Sequence, residues 1–330
     1  MVRTGAHVYV KYGWEGATLG ILASGAAVDK KFGLQDKVSS LSLTHNKMNL
    51  NKLNQNTVDK YAYGQQQGTA SMSFTLSNPW IFGTVLGAPP SPVSSGGNYT
   101  YTYSSDPATM SKDARTIQMI LGFDATSSGN IFRTLKGGIV GSLAINAAVG
   151  GLVDCSADVT YGLESAPTTS GSLSPPTEPS QEFPYTFAHA ELYFGGVEVV
   201  QCQDASINIA QNAELLYALD DHSAVAAFKR VLDITGAFKA SWIDKTLLDK
   251  LIAQLTKDGS GETVGGGAAT EFRLTFEKSA TERIMITLTG LAINDLGISG
   301  LEPVEPVFQD ITWTAKTISI AAITNSSAEK

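Results

Sequence analysis

Charge is scarce in this chain. Only 16% of its 330 residues are charged, against the roughly one quarter usual in globular proteins. What charge there is carries the wrong sign for a phosphate-gripping surface, because the formal net charge is −8. That balance disfavours direct binding of nucleic acid, though not passage of DNA past a surface that does not hold it. Cysteine is nearly absent. Cys155 and Cys202 are far apart and form no CxxC or zinc-type spacing, so both read as small apolar fillers in a chain that folds in the cytoplasm. No apolar run approaches the ~20 residues that span a bilayer. The opening MVRTGAHVYV has neither a long apolar core nor a small-residue cleavage site, so the expectation is a soluble protein made without export.

Catalytic patterns are missing as well. The histidines are His7, His45, His189 and His222, and none has a second histidine or a carboxylate four residues on, as an HExxH zinc site requires. There is no GxSxG elbow, no Walker loop and no GxGxxG following a strand. The glycines at 265–267 precede a strand, so they offer no helix N-terminus to a phosphate. The pair Asp220 and Asp221 reads as solvated loop acid, not a cation site. Asn98 and Asn325 begin sequons that matter only in a secreted protein. No enzyme activity, cofactor or metal is expected.

What is present is a repeat. Residues 119–140 (MILGFDATSSGNIFRTLKGGIV) lie over 272–293 (FRLTFEKSATERIMITLTGLAI), a spacing of 272 − 119 = 153. Leu121/Leu274, Phe123/Phe276, Ile131/Ile284, Thr134/Thr287, Leu135/Leu288 and Gly137/Gly290 are identical. Residues 39–53 lie over 205–219 at a spacing of 166, and 68–76 (GTASMSFTL) over 236–244 (GAFKASWID) at 168. Three blocks in the same order predict two copies of one domain, at 1–162 and 183–330. A Pro- and Ser-rich stretch at 163–182 reads as an extended linker. The spacing falls from 168 to 153 between the last two blocks, so the first copy carries an insertion at 88–114. Within it NYTYTY reads either as a short exposed strand or as part of a surface loop. Its Tyr99, Tyr101 and Tyr103 share one side, as a contact patch or as packing on the insertion's own base.

Each copy shows the same order of elements. Leu41 and Leu43 alternate with Ser40, Ser42 and Thr44, and Ile207 and Ile209 repeat that alternation, the mark of a strand with one buried face. Loops at 46–67 and 212–233 follow, then strands at 69–76 and 237–243. A short helix comes next in each copy: one capped by Ser77 or Asn78, with Pro79 in its first position and Gly87 at its end, the other starting at Asp244. Three more strands close each copy, at 116–124, 131–148 and 152–162, and at 269–277, 283–298 and 307–320. The fold class is therefore mainly β with a minor α component: two tandem β-sandwich or partial-barrel domains, each with one short helix on its sheet.

The ordered blocks resemble the tail tube proteins of long-tailed, non-contractile bacteriophages. VYVKYGWEGATLG (8–20), FGLQDKVSSLSLTHNKMNLNKL (32–53), FTLSNPWIFGTVLG (74–87) and GGIVGSLAINAAVGGLVDCSADVTYG (137–162) are similar to successive parts of that family's domain, and 185–219 restart the pattern. The second copy departs where Gly290–Leu291 replaces Gly137–Gly138, and in its Pro-rich 301–308. The resemblance implies a structural virion protein, assembled in the host cytoplasm, whose sheets join those of neighbours around a hollow ring. With two domains per chain, that is a homotrimer with six quasi-equivalent domains, stacked into the conduit for DNA ejection. It also implies a tape measure protein, a tail terminator and a distal tail protein as partners. Asp154, Asp158 and Asp310, on polar strand faces, are candidates for the lumen. Asn46, Asn54, Gln55, Lys60, Asn212, Asp220, Asp221 and His222 are candidates for ring-to-ring contacts. The alternatives are a surface β-sandwich adhesin or binding module, and a tube or baseplate ring protein of a contractile tail.

Overall fold

The computed structural model describes residues 8–51, 58–87, 92–105, 115–123, 131–168, 183–199, 201–219, 221–241, 271–299 and 307–326. Nearly all regular structure in them is antiparallel strand, as the alternation predicts. The first half contains β1 (Val8–Trp14), β2 (Leu34–Asn51), β3 (Val58–Thr75), helix α1 (Phe82–Leu86), β4 (Val93–Ser95), β5 (Asn98–Ser104), β6 (Ile117–Phe123), β7 (Ile131–Ala148), β8 (Val153–Tyr161) and β9 (Leu163–Thr168). The second contains β10 (Ala190–Phe194), β11 (Val197–Glu198), β12 (Cys202–Ala210), β13 (Glu214–Tyr217), β14 (Ala224–Phe228), β15 (Asp233–Ser241), β16 (Phe272–Ser279), β17 (Glu282–Thr289), β18 (Ala292–Ser299), β19 (Phe308–Ala315) and β20 (Thr317–Thr324).

Two runs of pairing recur. In the first half β1–β6–β7–β9 form one run and β2–β3–β8–β7 the other, with the long β7 serving both. In the second half β10–β16–β17–β20 and β12–β15–β19–β18 pair in the same two orders, β17 and β18 standing where the two ends of β7 stand. The registers correspond too. Ile120 faces Thr134 as Arg273 faces Thr287, a displacement of 153 on each strand (273 − 120, 287 − 134). Val140 faces Val159 as Ile293 faces Trp313 (153 and 154), and an irregularity follows in both, between Val140 and Ser142 and between Ile293 and Asp295. Val159 in turn faces Ala70 as Trp313 faces Gly236 (154 and 166), and Ala70 faces Leu41 as Gly236 faces Ile207 (166 and 166).

The ladder thus corrects one sequence match. Setting Gly68 on Gly236 gave 168, but hydrogen-bonded register gives 166. A slip of two residues keeps every side chain on its face, so alternation alone does not detect it. Gly137 and Gly290 do correspond, and both have positive φ (64° and 65°), a conformation glycine adopts without steric cost. They lie where the chain leaves one run for the other. β7 crosses that point unbroken, whereas Gly290 and Leu291 interrupt the second half between β17 and β18.

Several expectations need correction. Residues 46–51 and 58–67 are not loop: they extend β2 and β3 into a long hairpin paired out to Asn51 and Val58. Side chains at 44–49 are exposed on both faces, so no periodicity marks the strand. Within 212–233, β13 and β14 likewise form a hairpin. The stretch 163–168, assigned to the linker, is strand β9 paired with β7. Residues 283–298 and 307–320 each contain parts of two strands, broken at 290–291 and at Lys316. The helix expected from Asp244 lies outside the described residues.

The insertion does form a strand at 98–104, but one with Tyr101 and Tyr103 buried and not an exposed one. β4 and β5 form a hairpin, and β5 pairs with β20 of the other half. Tyr101 and Tyr103 are buried, their rings edge-on to Trp80 and Phe82 beside α1, and Tyr101 donates its hydroxyl to the Ser326 carbonyl. They are core, not a contact patch. Gly87 ends α1, as expected. The halves are sandwiches sealed by aromatic contacts between layers: Tyr12–Phe32–Phe74 in the first, Phe194–Phe238–Phe272–Trp313 in the second.

The halves differ in one instructive place. Arg133 of β7 makes a two-pronged ion pair with Glu164 of β9 (Nε–Oε1 2.5 Å, Nη2–Oε2 2.8 Å), and the Glu164 hydrogen bond holds the guanidinium charged. The ladder-equivalent positions are Ile286 and Ile318, both buried. Stripping one partner from a shielded pair leaves an uncompensated charge, whereas apolar residues of similar volume replace the pair well. Glu164→Ala is expected to cost about 2 kcal/mol, reduced from the fully buried case because Arg133 is partly solvated. Arg133→Ile with Glu164→Ile should unfold near the wild-type denaturant midpoint. A double variant as unstable as Glu164→Ala would contradict this account.

Candidate functional site

Among the described residues there is no cluster of three or more histidine, cysteine, aspartate or glutamate side chains able to hold a metal. His189 accepts or shares hydrogen bonds with Thr186 at the start of a short 3-10 turn, and His222 bonds the Gly64 carbonyl through Nδ1 (3.1 Å). A cavity of about 80 Å³ between the layers is lined mainly by Ala147, Leu192, Val199, Cys202 and Leu274. Glu191 and Glu198 also border it, and it is too small for a cofactor. The features that do stand out are extended surfaces: a polar sheet face, two free sheet borders and two hairpins.

Across the halves β7 pairs with β12, placing Leu143 opposite Ile209 and Ile145 opposite Ile207. This junction fuses the two four-strand runs into one sheet path, β2-β3-β8-β7-β12-β15-β19-β18. Its inner face is apolar: Ala70, Met72, Val159, Ala157, Leu143, Ile145, Ile207, Phe238 and Ile311 are buried. Its other face carries Ser40, Ser42, Thr69, Ser71, Ser73, Ser156, Thr160, Ser206, Asn208 and Thr312, with their directly opposite neighbours sharing that face.

Asp154, Asp158 and Asp310 all lie on that polar face. Asp158 is held between two strands, accepting from Ser71 Oγ (2.7 Å) and Ser142 Oγ (3.0 Å). Asp154 accepts from Thr75 Oγ1 (3.4 Å). Asp310 accepts from Ser299 Oγ (2.9 Å) and lies 3.7 Å from Lys239 Nζ. Sequence reading missed two further acids there. Asp204 faces Lys239 across the ladder, and burial pushes its carboxyl up, with Lys239 opposing and Asp310 adding to the shift. Asp295 lies opposite Thr312 on the same face. Alternation signalled Asp204 but not Asp295, because the irregularity at Asn294 breaks the period.

The ring-contact candidates divide between the hairpins. Asn46 and Lys60 sit on the exposed arm of β2 and β3, where Met48 is 53% exposed. Asn54, Gln55 and Asp220 lie outside the described residues. Asn212, at positive φ (46°), bonds the Val231 carbonyl and Asp233, and Asp221 accepts from the Ser223 amide (2.8 Å). The structure brings the two hairpins together: Gln66 N donates to the His222 carbonyl (2.9 Å), and Tyr217 donates to the Gln66 carbonyl (2.8 Å). The β13–β14 hairpin still presents Leu216 and Val225 to solvent.

Among the described residues the sheet path ends on β2 and β18. Leu41 and Leu43 on β2 and Leu296 on β18 are only partly buried, and Ile298 is 46% exposed, whereas their counterparts at the β7–β12 junction are all buried.

Cys155 is buried and Cys202 half-buried. Burial, then the neighbouring Asp204, pushes Cys202 up to about 12 despite an opposing backbone hydrogen bond, and burial raises Cys155 further. At pH 8 the thiolate fraction of Cys202 falls on the order of a thousandfold below that of a free cysteine. Native protein at pH 8 should therefore resist a maleimide over minutes and react at both cysteines in guanidinium, read by intact mass. Rapid native labelling would refute the assigned burial.

Comparison with known proteins gives one family: the family model described as "Phage tail tube protein" matches residues 7–315. No curated protein matches the chain.

Proposed function

This chain belongs to the phage tail tube protein family, and we propose that it self-assembles into stacked rings of three chains, each chain supplying two copies of one tube unit. The observation that carries this reading is the sheet path. One half joins the other through β7 and β12, and the path then ends on β2 and β18, the strands that correspond to β12 and to the last part of β7. A path that ends on the counterparts of its own central junction repeats that junction between chains. Six such junctions, half within chains and half between them, close a ring and leave no open border along that path.

The polar face of the path then lines the lumen, with Asp154, Asp158 and Asp310 among its acids. Carboxylates and small hydroxyls repel phosphate and offer it few cations, so DNA slides through during ejection without being held. Stacking along the axis is head-to-tail and does not close, so it propagates a tube. The β2–β3 arm suits that contact. An isolated two-stranded hairpin exposed on both faces is marginal in water and gains from a partner. The non-contractile tail, and a tape measure protein, a terminator and a distal tail protein as neighbours in the virion, are part of the same reading, with assembly in the host cytoplasm.

Concentrated native protein should show hollow rings or tubes by negative-stain electron microscopy. Replacing 48–62 by an Asn-Gly turn, which closes the hairpin at Lys47 and Tyr63, should leave folded rings that no longer stack. A strictly monomeric native protein would count against the ring, and tubes of unchanged length would count against the arm. In assembled tubes, Asp158→Cys should be closed to a bulky maleimide applied from outside and open after dissociation. Labelling in intact tubes would place that face outside.

A further inference from the structure

The internal junction gives a residue-by-residue template for the border between chains. The β2 and β12 ladders correspond at a displacement of 166 over 40–44 and 206–210, since Leu41 faces Ala70 as Ile207 faces Gly236 and Thr44 faces Gln67 as Ala210 faces Asp233. The end of β7 and β18 correspond at 153 over 142–146 and 295–299: Ser142 faces Asp158 as Asp295 faces Thr312, and Ile145 faces Cys155 as Ile298 faces Gln309. Within the chain β12 and β7 pair as Ser206↔Asn146, Ile207↔Ile145, Asn208↔Ala144, Ile209↔Leu143 and Ala210↔Ser142.

We propose that β18 of one chain pairs antiparallel with β2 of the next in the transposed register: Ser299 opposite Ser40, Ile298 opposite Leu41, Gly297 opposite Ser42, Leu296 opposite Leu43 and Asp295 opposite Thr44. This rests on the ring reading above and adds its register. The alternation of both borders agrees with it. The apolar side chains of both borders, which are incompletely buried in the single chain, meet on one face, as Ile207 meets Ile145 and Ile209 meets Leu143 inside the chain. The polar side chains meet on the other face, with no pair of like charges opposed. A shift by one residue would set Ile298 against Ser40 or Ser42, turning the apolar set of one strand towards the polar face of the other.

A shift by two residues is the competitor that faces alone do not exclude, and disulfide trapping separates it. Directly opposite β-carbons are about 5 Å apart and diagonal ones about 7–8 Å, while a disulfide needs about 3.8 Å. Chains carrying Leu41→Cys and chains carrying Ile298→Cys are mixed, assembled, checked for rings by electron microscopy and oxidised. Covalent dimers are expected only when both variants are present, and Leu43→Cys with Ile298→Cys should give far fewer. Because a border cysteine on the apolar face can impair folding, Ser42→Cys with Gly297→Cys is run in parallel on the polar face. A β-carbon at Gly297 meets only ordinary contacts, 3.7 Å from Asp310. The two pairs are adjacent rungs, so one is of the non-hydrogen-bonded kind with the closer side chains. Rings that form but trap neither pair, or that trap Leu43→Cys with Ile298→Cys best, overturn the register and leave the ring reading standing. Wild-type protein that forms no rings overturns both.

Discussion

An antiparallel sheet must satisfy the backbone N–H and C=O groups along both of its borders, and the architecture of this chain follows from how that demand is met. Inside the chain it is met by giving the last strand of one unit to the first strand of the next, at β7 and β12. On the smaller sheet a different device covers β20 and moves the border to β4. There the hairpin of β4 and β5, inserted in the first half, reaches across and caps β20 of the second. Both devices tie the halves together by main-chain hydrogen bonds, which carry no sequence preference of their own. Selectivity comes from the side chains that flank them.

That division explains why the halves have diverged in chemistry while keeping their ladders. Arg133 and Glu164 stand where Ile286 and Ile318 stand, Gly138 where Leu291 stands, and Cys155 where Gln309 stands. Each exchange leaves the pairing register in place. Further contacts then make the halves depend on each other. Gln211, fully buried, donates to the carbonyls of Val140 and Thr84, reaching both the irregularity in β7 and the end of α1. Lys229 donates to the Val85 carbonyl (3.2 Å), and burial with Arg115 nearby lowers its amine to about 8. These second-half groups thus serve carbonyls of the first half.

The sheet's two faces carry separate tasks. The inner face buries Leu, Ile, Val, Met and aromatic side chains and supplies cohesion. The outer one keeps short hydroxyls and carboxylates, pinned by neighbours, as Asp158 is by Ser71 and Ser142. Lys239, beside Asp310, shows that even a cation on this face is placed next to an acid.

Much was legible in the sequence because alternation of period two is a local signal. The β class, the positions of β6, β7 and β8, the common order of the halves and the placing of Asp154, Asp158 and Asp310 on polar strand faces all follow from which residues alternate. Tertiary structure alone decided what alternation cannot encode. Whether a strand with both faces in water exists at all, as in the β2–β3 arm, depends on backbone pairing. The fate of Tyr101 and Tyr103 depends on which sheet receives β5. The displacement of 166 instead of 168 depends on ladder register, since a two-residue slip leaves every face unchanged. Above all, which strands are left as borders is a property of the whole topology: Leu41 and Ile298 look like ordinary strand residues until the path is traced from β2 to β18 and both are found at its ends.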